Sequence, residues 1–296
     1  MKRITNFQAM IASVKGRPKK TVVVAGAADA DVLAATVQAS QEGLADFLYV
    51  GDPAAIHRLA AAAQSPLAGA VLAASDAQAA GQQALALLKA GQAHVLMKGK
   101  IPTHDLLGLV LKDADLKKQQ PDQFLSHLAI FEWAQQLKLF SDPALNIDPS
   151  LEQKRRITLN ALAAAYQFGI AAPRVAFLSA VETVNPKMRS SVEAAELARL
   201  DWGAALAAGP LAFDGTLFPE ACRAKGITSP VAGQADILIF PNLEAANTFY
   251  KVLAWMVKPD LAGVIVGAAV PIILTSRADS DRVKFCSIAA TLYLAP

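Results

Sequence analysis

Eight consecutive residues near the C-terminus, Thr275-Ser276-Arg277-Ala278-Asp279-Ser280-Asp281-Arg282, bring hydroxyls, two arginines and two carboxylates to the end of an apolar run. An arginine offers phosphate oxygens a bidentate fork, and the start of a helix adds backbone N–H donors. A serine hydroxyl beside them can donate to a developing oxyanion. Capping the helix that follows would need only Ser280 or one aspartate. The stretch reads as an anion site with Ser276 and Arg277 at its centre.

Four further polar insertions follow apolar runs or open them. Met97-Lys98-Gly99-Lys100-Ile101-Pro102-Thr103 sets lysines beside a glycine and a threonine able to cap the next helix, which makes either an anion site or a solvated loop. Ser126-His127 opens an apolar run, where a lone histidine is commonly structural. Ser179 to Met188 mixes Glu182, Asn185 and Lys187 in one loop. Pro241 to Lys251 places Asn247 and Lys251 four apart on one helix face, with Glu244 near the same stripe; a salt-bridged surface face is the competing reading.

Several chemistries lack their signature in the sequence. There is no GxxxxGK[ST] loop, no HExxH and no GxSxG elbow. The first β-branched run ends in Gly26-Ala27-Ala28-Asp29 rather than GxGxxG. His57, His94, His104 and His127 have no metal-ligand spacing. The chemistry is expected to need no metal and no tightly bound cofactor.

These insertions need a scaffold, and the pattern supplies one. Thr21–Ala25, Asp46–Val50, Ala70–Ala73 and Ala93–Met97 read as buried strands, separated by helices over Asp29–Glu42 and Gln78–Lys89. Gly43 is a plausible cap for the first of these helices. A second series has helices over Pro149–Phe168, Ser191–Leu200, Leu243–Val257 and Ser280–Leu292. Its strands are Arg174–Leu178, Ala235–Phe240, Leu261–Val266 and Val270–Thr275. Such alternation implies an α/β fold whose mostly parallel sheets are covered on both faces, with ligands at the strand ends. Loop composition puts a change of domain near Asp142–Pro149.

Of the 296 residues 54% are hydrophobic and 18% charged, which excludes disorder. The apolar runs are broken by Gly and Pro and fall short of the ~20 residues of a membrane span. The net charge of +3 and the short Lys15–Lys20 cluster do not make a nucleic-acid platform. Cys222 and Cys286, far apart and outside any CxxC, suit a reducing cytoplasm. The N-terminus reads as an amphipathic helix without a cleavage signature, so a cytoplasmic location is expected.

Taken in order, LMKGKIPT, the Ser126-His127 pair, FSDPALNIDPSLEQK, VAFLSAVETVNPKMRSSVEAAEL, GPLAFDG, KGITSPVAGQADILIFPNLEAANTFYK and VPIILTSRADS resemble the phosphate acetyl/butyryl transferase family. The resemblance runs from about residue 95 to the C-terminus. It implies reversible conversion of acyl-CoA and phosphate to acyl phosphate and CoA, with coenzyme A as co-substrate. It also implies a two-domain fold like that of isocitrate and isopropylmalate dehydrogenases, with an interdomain cleft, and a homodimer or larger homo-oligomer. By that pattern residues 1–143 and 267–296 form one domain and residues 144–266 the other.

The same resemblance makes Ser276 the oxyanion donor, Arg277 the phosphate clamp, and Asp279 or Asp281 the thiol base. Lys98, Thr103, Ser126, Asp214, Asn247 and Lys251 become substrate contacts. The chain departs from the family at three points: it has no arginine in the KKQQPDQF segment before Ser126, Gly209–Thr216 reads GPLAFDGT, and Ala246 replaces a glycine. The carboxylate of acetyl-specific members lies near Val283. Length and the LMKGKIPT loop look like the butyryl or branched-chain subgroup, with phosphate acetyltransferase the close alternative. A hydroxy-acid dehydrogenase of the same fold and a CoA-binding regulatory relative are the readings from other classes.

Overall fold

Apolar runs form the strands and alanine-rich stretches the helices between them. The structure, a computed structural model, describes residues 3–64, 66–67, 69–116, 124–276 and 278–295. The chain divides into two compact units: residues 7–123 with 260–296, and residues 1–6 with 124–259.

The first unit opens with α1 (Phe7–Lys15), β1 (Lys20–Ala25), α2 (Ala30–Gln41), β2 (Ala45–Gly51), α3 (Pro53–Ala62), β3 (Gly69–Ala73), α4 (Ala77–Lys89), β4 (Val95–Lys98) and α5 (Thr103–Lys112). Three of its helices start where the sequence supplies a cap: Asp29, Asp52 and Asp76 each accept backbone N–H groups of the first turn. Gly43 ends the α2 segment with φ +76, as its position predicts.

The second unit contains β5 (Ser126–Trp133), β6 (Gln136–Ser141), α6 (Leu151–Gln167), β7 (Arg174–Leu178), α7 (Arg189–Ala198), β8 (Leu206–Leu211), α8 (Asp214–Leu217), α9 (Pro219–Lys225), β9 (Ile237–Ile239) and α10 (Leu243–Val252). Its strand order is β5-β6-β9-β7-β8, parallel except for the β5–β6 hairpin. Ser150 and Gln153 form a reciprocal capping box at the start of α6. Phe249 of α10 lies 5.0 Å, ring to ring, from Phe140 and 4.8 Å from Phe213, so aromatic packing seats α10 on the hairpin. Lys154 of α6 pairs with Glu193 of α7, both largely buried.

The chain then returns to the first unit with β10 (Leu261–Val266), β11 (Ile272–Ile273) and α11 (Asp281–Leu294). The strand order there is β3-β2-β1-β4-β11-β10, parallel except for β10 against β11. Val22, Val23 and Val24 are completely buried at its centre, each worth ~1.5–3 kcal/mol of burial. Helix α11, buried along most of its length, packs on β10 and α2.

The α/β class with mostly parallel sheets is as the sequence implies, with local differences. The expected strand Val270–Thr275 shortens to Ile272–Ile273, because Pro271 has no N–H for a ladder; its carbonyl still accepts from Leu96 N at 3.1 Å. The helix expected to reach Val257 becomes π-helical over Leu253–Val257 and stops at Lys258, φ +52. The chain changes compact unit at 123/124 and 259/260. Hairpin β5–β6 belongs with the second unit because β6 pairs with β9, and β10 belongs with the first because it pairs with β11.

Candidate active site

In the first unit β1, β4 and β11 run parallel, so the loops after them open along one edge of the sheet. The β1 and β4 loops meet backbone to backbone. Gly99 N donates to Ala25 O at 2.8 Å and Lys100 N to Gly26 O at 2.6 Å. A Cβ on Gly99 would lie 2.2 Å from Gly26 O, so only glycine fits there. Lys98, expected as a substrate contact, is 7% exposed, and its Nζ donates to the carbonyls of Gly99 (3.1 Å) and Ile101 (3.4 Å). Its ammonium shapes the loop from within. Thr103 is the first residue of α5, not its cap; Pro102 takes that position without a side-chain bond.

After β11 the chain turns before entering α11. Ser276 N donates to the Asp279 carboxylate at 2.7 Å, and Asp279 is 4% exposed. Ser280 caps α11 by accepting from Val283 N at 3.3 Å. Asp281, the first residue of the helix, is exposed. Arg277 lies outside the described residues. Arg282 does not join the turn: its guanidinium grips the Asp260 carboxylate, with Nε to Oδ1 at 2.8 Å. Val283, next along the helix, is buried and carries no ionisable group.

In the second unit β6, β9 and β7 run parallel and β5 antiparallel to β6, so the start of β5 lies beside the end of β6. Asp142 organises this edge. It is 4% exposed and accepts from His127 N (3.0 Å), Ala144 N (3.0 Å), Leu145 N (2.9 Å) and Asn146 Nδ2 (2.6 Å). Ser126, expected to line the substrate path, is fully buried and accepts from Asn160 Nδ2 at 2.9 Å. Asn247 donates to Pro143 O at 2.9 Å, which ties α10 to the same loop. Lys251 Nζ lies over the Tyr250 ring at 5.3 Å.

Asp214, at the start of α8, accepts from Lys225 Nζ at 2.8 Å, and Lys225 also reaches Glu182 at 2.7 Å. The Lys225 ammonium holds the Asp214 carboxyl below the usual carboxylate range. The arginine-poor segment before Ser126 falls largely on residues 117–123, outside the described residues.

A profile of the family described as phosphate acetyl/butaryl transferase matches residues 73–292. The chain belongs to that family. A phosphate butyryltransferase of Clostridium beijerinckii is 38% identical over 98% of both chains. The crystal structure of a branched-chain phosphotransacylase from Enterococcus faecalis superimposes with a TM-score of 0.81 and 34% identity, over 93% of this chain and 98% of that one. A 4-hydroxythreonine-4-phosphate dehydrogenase from Klebsiella pneumoniae shares the fold alone, with a TM-score of 0.53 and 12% identity over 94% of this chain and 100% of that one. The dehydrogenase-like architecture expected from the sequence agrees with this likeness.

Within the family motifs, sequence reading missed Asp142, Asn146 and Asn160. All three stand in or just after FSDPALNIDPSLEQK. The available signal was the Asp-Pro start with an Asn four residues on, a spacing that lets both side chains serve one turn.

Proposed function

We propose that this protein transfers a short or branched acyl group, butyryl-like by preference, reversibly between coenzyme A and inorganic phosphate. The observation carrying this reading is the family match across residues 73–292, joined to near-full-length identity with a phosphate butyryltransferase. It is further proposed to work in the cytoplasm as a homodimer or larger homo-oligomer. Among the described residues no helix is long and apolar enough to cross a membrane.

In the direction of acyl phosphate synthesis a phosphate oxygen attacks the thioester carbonyl, forming the C–O bond and a tetrahedral oxyanion. Collapse breaks the C–S bond and the CoA thiolate leaves with its electron pair. In reverse the CoA thiol, pKa about 8.5 when unperturbed, loses its proton before attacking the acyl phosphate. Ser276 is assigned as donor to the oxyanion and Arg277 as phosphate clamp. Asp281 suits the base because it is exposed at the helix start, whereas Asp279 is buried and holds Ser276 N. Thr103, Asp214, Asn247 and Lys251 are assigned to substrate contact, and Lys98 and Ser126 to supporting those contacts.

Phosphate-dependent release of free thiol from acetyl-, propionyl-, butyryl- and isobutyryl-CoA tests the reading. Fastest release from the butyryl or isobutyryl substrate is the expected result. Fastest release from acetyl-CoA would make the protein a phosphate acetyltransferase. CoA binding without thiol release from any substrate would make it a non-catalytic relative.

A further inference from the structure

Lys284 is 2% exposed, one turn into α11, in the first unit. Its ammonium donates to the backbone carbonyl of Asp279 and lies 3.4 Å from Asp31 Oδ2, in the first turn of α2. Burying an ammonium costs several kcal/mol unless acceptors compensate, and a cation near a helix start also opposes the macrodipole. Helix stability therefore does not explain this lysine.

What it touches does. The Asp279 carbonyl belongs to the same residue whose carboxylate holds Ser276 N at 2.7 Å. The ammonium thus clamps the turn, and its charge, shared with Asp31, adds to the positive end of α11. Both effects favour an anion at the turn: one fixes the donors and the other supplies field from a buried charge.

We propose that Lys284 is a positioning residue that locks the Ser276–Asp279 turn and holds a buried positive charge beneath it, thereby setting the affinity for phosphate. This rests on the acyl-transfer reading above, which places phosphate at that turn. The lysine acts through the turn and not by touching substrate.

The test compares Lys284→Met, which removes charge and donor, with Lys284→Gln, which keeps a donor but no charge. Phosphate binding to the intact protein is followed by calorimetry without acyl-CoA, and thiol release by steady-state kinetics. The expected result is a rise of about tenfold or more in the phosphate Kd and KM of both variants, with the KM for acyl-CoA changed less than about threefold. A folded variant with wild-type phosphate affinity would overturn the proposal. So would a rise in both KM values together, or the failure of both variants to fold, since the lysine would then serve general packing. Absence of turnover in the wild type would instead refute the acyl-transfer reading, while the binding measurement still judges Lys284.

Discussion

Asn146 Nδ2 donates to Asp142 Oδ2 at 2.6 Å, and that same oxygen accepts His127 N at 3.0 Å, while Oδ1 takes the N–H groups of Ala144 and Leu145. Each carboxylate oxygen therefore faces two donors. Asp142→Asn would set an NH2 against two donors in either orientation of the amide. We expect a loss of about 2–3 kcal/mol in urea or thermal unfolding. Unchanged stability would mean the loop rearranges freely around the amide.

Gly99→Ala tests the backbone contact of the β1 and β4 loops. The added Cβ would sit 2.2 Å from Gly26 O and 2.9 Å from Ala25 O, and both neighbours are main chain. Separation of the loops should cost about 1–3 kcal/mol, read as a lower melting midpoint. An alanine variant that melts with the wild type would show that the contact yields easily.

The acid limb of stability should depend on Glu152. Hydrogen bonds from Arg155 and then Arg156 hold its carboxyl at about 2, against an ordinary 4.5. Because the folded value is depressed, the unfolded chain binds more protons in this window. The contribution is complete above pH 4.5 and disappears as pH falls towards 2. Glu152→Gln should therefore lose less melting temperature than the wild type between pH 5 and 2, roughly, and the pair is solvent-exposed, so the difference should shrink in high salt. Parallel pH curves for the two proteins would contradict this.

Removing the Ser276 hydroxyl addresses the chemistry. With the oxyanion-donor role assigned above, Ser276→Ala should lower kcat for phosphate-dependent thiol release by about 10²–10³-fold. The variant should remain folded, because alanine retains the backbone N–H that Asp279 holds. A variant with near-wild-type kcat would remove Ser276 from the reaction.

Much of this architecture was legible because local and global signals agree. The run Thr21–Ala25 is β-branched and flanked by loop residues, and it lies at the sheet centre; the helix expected over Pro149–Phe168 forms as α6. The hairpin strand Gln136–Ser141 was not anticipated, since no glycine marks its turn: Ala134 and Gln135 adopt positive φ instead. Burial was equally invisible. Lys98 and Ser126 look like exposed polar groups in the sequence, yet neighbouring carbonyls and Asn160 enclose them, because long-range packing decides which polar group faces water.

The division of the chain also constrains how the protein is made. Residues 1–6 belong with 124–259: Arg3 pairs with Asp236 at 2.9 Å, and Ile4 N donates to Phe168 O at 2.9 Å. Residues 7–123 wait for α11, whose Tyr293 carbonyl accepts from Arg17. On the ribosome the opening residues are exposed long before their partners exist. The middle unit is complete in sequence by residue 259, whereas the sheet around β1 holds an unfilled edge until β10, β11 and α11 are added. A chain truncated at residue 259 and released would therefore carry every residue of the middle unit and leave the first one unfinished.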